Sequence, residues 1–344
     1  MIIMSLGVGI GYLLCAFSPY FSPVEHPVLA LAGLCIPFFI IANFGLLVCW
    51  LFMKRKFALI PVLFFLIGAD ALCTYMPFNV NKAANGGKII KVLTYNTQGM
   101  MTQKDEAGKS KIPTLDYIKR SGADIVCLQE FPVKNQQIIK QLKKVYPYIR
   151  YVVTSNDVGV ACLSKKPIQS VKSIKMVSEN NGSAVFHIKD GEQLFPVIVN
   201  HLESNKLNDE DKAMYRGVLK DPKSKVVSTD SKYLIHKLAD AVAIRAPQAD
   251  KVAARIKELN DPFIIVCGDF NDSPISYAHN VIADGLQDAY VEGGKGPGIT
   301  YNRNFLFFRI DHLLVGRSYR VLRTEVDRSI DASDHYPVWT LLEK

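Results

Sequence analysis

Hydrophobic residues are concentrated at the start of the chain, where three apolar runs follow one another with short polar intervals. The runs occupy residues 2–17, 28–53 and 57–78. A helix of about 20 apolar residues crosses the hydrocarbon core of a bilayer, and residues 28–52 contain no Asp, Glu, Lys or Arg. The first run is shorter, but it lacks the basic residues that begin a cleaved signal peptide. The pattern therefore predicts an N-terminal bundle of about three transmembrane helices.

A basic triplet at residues 54–56 separates the second and third runs, whereas the loop at 18–27 carries only Glu25 as a formal charge. Positively charged loops tend to remain in the cytoplasm. If the third run crosses the membrane, the rest of the chain lies outside the cytoplasm. We therefore predict an integral protein of the cytoplasmic (inner) membrane whose C-terminal domain is extracytoplasmic. Asp70 in the third run and three lysines soon after it favour the opposite orientation.

From about residue 81 the chain changes to short apolar strands that alternate with polar helices. The pattern predicts a helical anchor at residues 1–80, a polar linker at 81–90 and one soluble domain at 91–344. The alternation indicates an α/β domain, and hairpin-like strand pairs predict mixed sheets. Strands are expected at residues 89–95, 124–128, 151–154, 159–163, 184–188, 195–199, 263–267, 305–314 and 336–342. Helices are expected at residues 112–120, 132–145, 206–237 (with a loop at 221–231), 239–259 and 275–283.

Composition adds a basic charge to the soluble part. Of 344 residues 49% are hydrophobic, with a mean hydropathy of +0.11, and the excess lies in the first 80 residues. Those 80 hold three of the 41 basic and two of the 32 acidic residues, so the remainder carries a formal charge of +8. A basic surface favours nucleic acid or an anionic phospholipid face as partner, or is simply solvated. The seven cysteines show no C-x-x-C spacing and are expected to be small buried hydrophobes.

Polar residues that can do chemistry stand at the ends of several predicted strands. Each alone has a simpler explanation, since Asp and Asn commonly make turns. As a group they predict a site, because the ends of different strands can meet at one mouth of a sheet. Oxygen ligands such as those of Asn96, Glu130 and Asp334 suit Mg²⁺ or Mn²⁺ better than zinc. The candidates are Asn96, Glu130, His201, Asp269, Asn271, Asp311, Asp334 and His335.

Six motifs follow one another along the soluble part: TYNTQ (94–98), CLQE (127–130), NHLES (200–204), GDFND (268–272), RIDH (309–312) and SDHYPV (333–338). In this order they resemble the motifs of the endonuclease/exonuclease/phosphatase superfamily. The resemblance covers about residues 91–342. It implies a four-layer sandwich of two mixed β-sheets flanked by helices. It also implies hydrolysis of a phosphodiester or phosphomonoester by metal-activated water.

The resemblance also implies roles for the strand-end residues. Glu130 resembles the principal ligand of the metal, Mg²⁺ or Mn²⁺, with Asn96 and Asp334 completing or supporting the set. The family has been described with one metal and with two, and the sequence leaves both open.

The remaining candidates resemble the residues that act on the water and the phosphate. Asp269 looks like the group that positions or deprotonates the water, and Asn271 like its phosphate-holding neighbour. His335 resembles the histidine that serves as base or phosphate contact, oriented by Asp311. His201 stands where the deoxyribonuclease and sphingomyelinase branches have histidine.

These expectations lead to a membrane-anchored, Mg²⁺-dependent phosphodiesterase with nucleic acid, a phospholipid or another phosphoester as substrate. An inositol phosphate is less favoured, because GDFNDSP lacks the arginine that 5-phosphatases carry soon after this motif. Residues 204–259 exceed a simple connection and predict a lid, a substrate platform or an elaborated crossover. The alternative is a catalytically silent, membrane-tethered module that binds anionic ligands. No obligate protein partner is evident from the sequence.

Overall fold

The computed structural model describes residues 1–104, 108, 110–220, 227–303 and 306–344. The α-helices are α1 (Ile2–Phe17), α2 (Pro27–Ala30), α3 (Ile36–Met53), α4 (Leu59–Ile67), α5 (Ala69–Tyr75), α6 (Pro113–Arg120), α7 (Gln136–Leu142), α8 (Asp209–Lys220), α9 (Val227–Leu259), α10 (Tyr277–Ala283) and α11 (Ala289–Gly293). The strands are β1 (Ile89–Asn96), β2 (Gln103–Lys104), β3 (Ser110–Lys111), β4 (Ile125–Pro132), β5 (Tyr148–Val153), β6 (Val158–Ser164), β7 (Ile168–Ile174), β8 (Gly182–Asp190), β9 (Gln193–His201), β10 (Ile265–Asp269), β11 (Gln287–Asp288), β12 (Tyr301–Arg303), β13 (Leu306–Phe308), β14 (Asp311–Val315), β15 (Arg320–Val326) and β16 (Val338–Glu343).

Two six-stranded sheets form the body of the molecule. One has the order β15-β16-β1-β4-β6-β5 and the other β11-β14-β10-β9-β8-β7. The pairs β1–β4 and β9–β10 are parallel, and the other neighbours within these sheets are antiparallel. The predicted mixed sheets are therefore confirmed. In each parallel pair the carboxyl ends of both strands lie at the same edge of the sheet.

Side chains alternate between the two faces of each strand, and both faces of each sheet are covered, which gives four layers. Val92 and Cys267 point into the core between the sheets, whereas Leu93 and Val266 point outward. The outward side chains pack against α6 and α7 on one sheet and against α9 and α10 on the other. Successive strand residues face opposite sides, so buried strands with both faces covered are apolar throughout. The predicted four-layer sandwich is confirmed.

The N-terminal helical region (residues 1–78) contains two stretches long and apolar enough to cross a membrane, Ile2–Tyr20 and Pro27–Met53. The structure contains two or three of the predicted membrane helices, because the third apolar run is bent. The helices Arg55–Ile67 and Ala69–Tyr75 are bent by 72° at Gly68, and up to three spans result if this pair counts as one. Asp70 begins the second of these helices and is exposed, instead of packing against its neighbours.

Other departures from the prediction occur where the hydrophobic pattern is weak. The strands β7 and β15 were not predicted, because both are edge strands with many polar residues. The strand predicted at 305–314 is two strands, β13 and β14, with residue 305 outside the described part. The helix α9 begins at Val227, so the loop predicted at 221–231 was wrong for residues 227–231, and residues 221–226 lie outside the described residues.

Candidate active site

The first two strands of the site meet at Asn96 and Glu130. Asn96 ends β1 and pairs with Gln129 of β4 in parallel register. The pairing of β4 with β6 is irregular around Glu130, whose φ is 50°. A left-handed backbone is uncommon outside glycine, and such conformations cluster at functional sites. The side chain thereby meets Asn96, whose Nδ2 donates to Glu130 Oε1 at 3.2 Å.

The third and fourth strands bring Asp269 beside His201 in parallel register. Gly268, just before Asp269, has φ of 133°, and a Cβ there would lie 2.0 Å from the carbonyl oxygen of Asn200. Glycine therefore permits both the backbone angle and the close approach of the strands. The buried carboxylate of Asp269 accepts a hydrogen bond from Asn96 Nδ2 at 3.0 Å, so the two sheets are joined at the site.

Asn271 closes the turn after β10. Its backbone has φ of 52°, its N–H donates to Asp269 Oδ1 at 2.8 Å, and its Nδ2 donates to the carbonyl of Leu202 at 2.9 Å. This turn fixes the orientation of Asp269. His201 Nε2 lies 3.8 Å from Asp269 Oδ2 and 3.9 Å from Glu130 Oε1, which is beyond hydrogen-bond range. The imidazole is therefore in contact with both carboxylates but makes no hydrogen bond to either.

His335 lies between two carboxylates. Its Nδ1 is 2.7 Å from Asp311 Oδ2, and its Nε2 is 3.7 Å from Asp269 Oδ2. Burial of the ring lowers its pKa, but the charges of Asp311 and Asp269 outweigh burial and raise the pKa of His335 to about 10. Burial also raises the pKa of Asp269. At neutral pH the site therefore holds an imidazolium ion beside a carboxylate that accepts protons more readily than usual.

Ser333 and Tyr301 belong to the site although the sequence analysis did not single them out. Ser333 Oγ donates to the carbonyl of Asn96 at 2.8 Å and lies 3.4 Å from Asp334 Oδ1. The ring of Tyr301 meets that of His335 edge-on, with centroids 5.2 Å apart. Ser333 was visible within the SDHYPV motif. Tyr301 had no such signal, because a hairpin of β12 and β13 brings it to the site.

All eight candidates lie at the same edge of the two sheets. Asn271 is hydrogen-bonded to Asp269, and Asp334 is linked to Asn96 through Ser333. The other six are connected by the contacts given above: Asn96, Glu130, His201, Asp269, Asp311 and His335. Of the predicted metal ligands, Asn96 and Glu130 touch directly, whereas Asp334 stands apart from them. One potential ligand atom from each of Asp269, Asp311 and His335 lies within 4.8 Å of the other two.

The donor set of this site fits a divalent cation. Among the described residues, no Lys or Arg forms an ion pair with its four carboxylates, and the Glu130 side chain is 35% exposed. The two imidazoles can supply at most two positive charges against the four carboxylates at this edge, so a cation would balance the remaining negative charge. Carboxylate and amide oxygens are ligands that Mg²⁺ and Mn²⁺ accept. The carboxylates are Glu130, Asp269, Asp311 and Asp334.

A second buried polar cluster supports the loop after β10. His279 Nε2 lies 2.9 Å from Asp288 Oδ2, and His312 Nε2 lies 2.9 Å from the carbonyl oxygen of Asp272. The two rings are 4.7 Å apart. The contact with Asp272 holds the loop that carries Asn271 against this cluster.

The sandwich and the strand-end site together indicate the class of phosphoester hydrolases. A sequence profile of the endonuclease/exonuclease/phosphatase family matches residues 93–335, and the chain belongs to this family. A second profile, described as a domain of unknown function, matches residues 1–75. Over 86 residues the chain is 31% identical to an exodeoxyribonuclease of Bacillus subtilis (strain 168). That stretch is 25% of this chain and spans about a third (32%) of the relative.

Solved structures of low sequence identity share the fold. TDP2 from Caenorhabditis elegans is 16% identical, with a TM-score of 0.51 over 86% of this chain and 83% of that one. Sphingomyelinase C from Streptomyces griseocarneus is 18% identical, with a TM-score of 0.50 over 74% and 98%. A mannosyl-6-phosphatase from Bacteroides thetaiotaomicron is 18% identical, with a TM-score of 0.50 over 74% and 100%. This likeness confirms the fold, whereas the family match is what supports a phosphoester hydrolase.

Proposed function

We propose that the protein is a membrane-anchored phosphodiester hydrolase that requires Mg²⁺ or Mn²⁺. One observation carries the proposal: Asn96, Asp269, His335 and Asp311 form a chain of contacts across both sheets, with Glu130 bonded to its first member. Such a chain of acidic and basic groups at strand ends suits attack on a charged ester. Nucleic acid and phospholipid are the two substrate classes that the basic soluble part favours.

Glu130, with Asn96 and Asp334, would hold the metal ion. When bound, the ion neutralises charge on the phosphate oxygens, which otherwise repel an incoming nucleophile. The protein's own contribution is to keep the Glu130 carboxylate oriented, through the hydrogen bond from Asn96. The backbone bend at Glu130 supports this role, because it turns the side chain toward Asn96.

Asp269 is suited to receive a proton from the attacking water. Its carboxylate is buried, fixed by Asn96 and by the Asn271 N–H, and has a raised pKa. The water oxygen forms a bond to phosphorus, its proton passes to Asp269, and the bond between phosphorus and the leaving oxygen breaks. The leaving oxygen then takes a proton from solvent. A rigid carboxylate lowers the cost of orienting the water.

His335 is suited to bind the phosphate as a cation. Asp311 holds its Nδ1, and a pKa of about 10 keeps the ring charged at neutral pH, so it is a poor base there. Its Nε2 faces the side of the site where Asp269 lies. We therefore favour a phosphate contact over a general base. His201 and Asn271 flank the same space and would contact the remaining phosphate oxygens.

Residues 1–80 would form the anchor, 81–90 the linker and 91–344 the catalytic domain. The basic triplet directly follows the carboxyl end of α3. That end lies beside the amino end of α1, because Trp50 Nε1 donates to Ser5 Oγ at 2.9 Å. The opposite end of α1 leads into Ser18–Tyr20, which packs against α10 of the catalytic domain. The triplet and the domain are thus at opposite ends of the helices. With the triplet in the cytoplasm, the domain would be extracytoplasmic in the cytoplasmic membrane.

A measurement of turnover distinguishes this proposal from the alternative, a catalytically silent module that binds anionic ligands. The full-length chain in detergent is assayed with Mg²⁺ on a soluble ester, bis(p-nitrophenyl) phosphate. We expect hydrolysis by wild type and a fall of about 100-fold or more in Asp269→Asn, because the proton acceptor is lost. The exposed Asp284→Asn is the matched control and should retain wild-type turnover. Equal rates for wild type and Asp269→Asn would reject the proposal.

A further inference from the structure

The N-terminal helical region touches the catalytic domain at the active-site edge. A Cβ on Gly33 would lie 1.9 Å from the carbonyl oxygen of Ile275, six residues after Asp269. The Ile275 side chain packs in one cluster with residues of the apolar helices. At the neighbouring strand, Arg309 donates a hydrogen bond to the carbonyl of Thr74. Both attachments therefore lie where β10 ends and β14 begins, beside the site.

The helix α9 shows on which side of the catalytic domain the N-terminal helical region lies. Arg245 of α9 marks the level of the site, because Nη1 bonds Asp272 Oδ2 at 2.7 Å and Nε bonds the carbonyl of Glu203 at 2.9 Å. The part of α9 before Arg245 extends beyond that level by roughly 27 Å of helix. Leu31 packs on Ala239, within that projecting part. The apolar helices therefore begin on the side toward which the site opens.

Three exposed apolar side chains lie at the edge of the sheets that carries the site, on three separate segments of the chain. Met101 follows β1 and is 56% exposed, Val177 lies between β7 and β8 and is 82% exposed, and Phe307 on the hairpin of β12 and β13 is 49% exposed. Single exposed apolar residues are ordinary. All three lie on segments that lead to the site: Met101 is five residues from Asn96, the β7–β8 connection ends where Gly182 pairs with His201, and Phe307 pairs with Asn302 beside Tyr301. Apolar side chains at a membrane surface insert into the boundary between headgroups and acyl chains.

We infer that the active site opens onto the bilayer surface and that the ester it hydrolyses is the phosphodiester headgroup of a phospholipid in that same membrane. Met101, Val177 and Phe307, hereafter the apolar rim, dock on the bilayer. The inference rests on the proposed function for the chemistry, but the docking of the apolar rim has its own test. The rim lies on the side where the apolar helices begin, so its partner is a lipid surface. Nucleic acid offers no apolar phase for these side chains.

Docking is tested without activity by adding a tryptophan to the rim. Phe307→Trp and Leu194→Trp are reconstituted as full-length chains in vesicles with or without brominated phospholipids. Leu194 is 44% exposed but lies at the opposite end of β9 from His201. We expect the added signal, relative to wild type, to be quenched by about half or more at position 307, since bromine quenches only nearby rings. Equal quenching at 307 and 194 would overturn the docking.

Substrate class is tested with the same vesicles, using phosphatidylglycerol, bis(p-nitrophenyl) phosphate and plasmid DNA as substrates. We expect wild type to hydrolyse the lipid and Val177→Asp to lower the ratio of lipid to soluble-ester turnover about tenfold, because a carboxylate opposes insertion. Leu194→Asp should leave that ratio unchanged. Cleavage of DNA with none of lipid would overturn the inference while sustaining the proposed function. Loss of all three activities would contradict the proposed function itself.

Discussion

At the scale of single residues, the site depends on how charge is shared around His335. Two buried carboxylates face opposite nitrogens of the ring, so the cation is stabilised from both sides. A buried imidazolium without such partners would lose its proton. Asp311 makes the shorter contact and orients the ring, which makes it a positioning residue whose effect passes through His335.

Replacing Asp311 tests that dependence. In Asp311→Asn we expect turnover of the soluble ester to fall about 100-fold, because the amide no longer holds a charged ring in place. The pKa of His335, followed by NMR of the ring protons, should fall at the same time. Asp284→Asn serves again as the control. An unchanged rate together with a lowered pKa would show that the charge on His335 is dispensable.

At the scale of secondary structure, the sequence predicted the strands that are buried on both faces. β9 and β10 were recognisable because their apolar residues are continuous, and β1 because only Lys91 and Thr94 interrupt its apolar run. The polar ends of these strands then located the site. The edge strand β7 was missed because five of its seven residues are exposed and no apolar alternation remains. The bend at Glu130 and the approach of Tyr301 depend on pairing between distant strands, which a local pattern does not encode.

Gly268 provides a test of how the strands reach the site. In Gly268→Ala the added Cβ meets backbone at 2.0 Å and the φ of 133° is unfavourable. We expect a loss of about 2 kcal/mol or more in the free energy of unfolding, measured by denaturant titration. Gly217→Ala, in the exposed helix α8 with open space around it, should be neutral or stabilising. Equal stability of the two variants would contradict the close packing of β9 on β10.

At the scale of the whole molecule, the N-terminal helical region and the catalytic domain are packed together. The contact between Gly33 and Ile275 joins them beside the site. The sequence predicted a linker between two parts but gave no sign of this contact, because it depends on a glycine distant from every motif. The bend at Gly68 likewise brings Thr74 to Arg309, which a straight third helix would not do.

Gly33→Ala tests this packing. The Cβ would overlap the Ile275 backbone, so we expect the unfolding midpoint of the full-length chain in detergent to fall by several degrees. Gly45→Ala, in α3 with nothing within 4 Å, is the matched control and should keep the wild-type midpoint. Identical midpoints for Gly33→Ala, Gly45→Ala and wild type would mean that the two parts do not pack in this way.

Membrane orientation is tested by reporters fused after Lys344. Because the basic triplet and the catalytic domain lie at opposite ends of the helices, we expect signal from a reporter that requires export. A reporter active only in the cytoplasm should remain silent. The reverse result would place the catalytic domain in the cytoplasm and the triplet outside.

The most direct test of the central claim is removal and return of the metal. The initial rate of soluble-ester hydrolysis by the full-length chain is measured after treatment with EDTA and then during titration with Mg²⁺, for wild type and Glu130→Gln. The account predicts a fall of about 100-fold or more on chelation, full recovery with Mg²⁺, and a requirement for at least about tenfold more Mg²⁺ in Glu130→Gln. A wild-type rate that is unaffected by the chelator would contradict metal-dependent hydrolysis at this site.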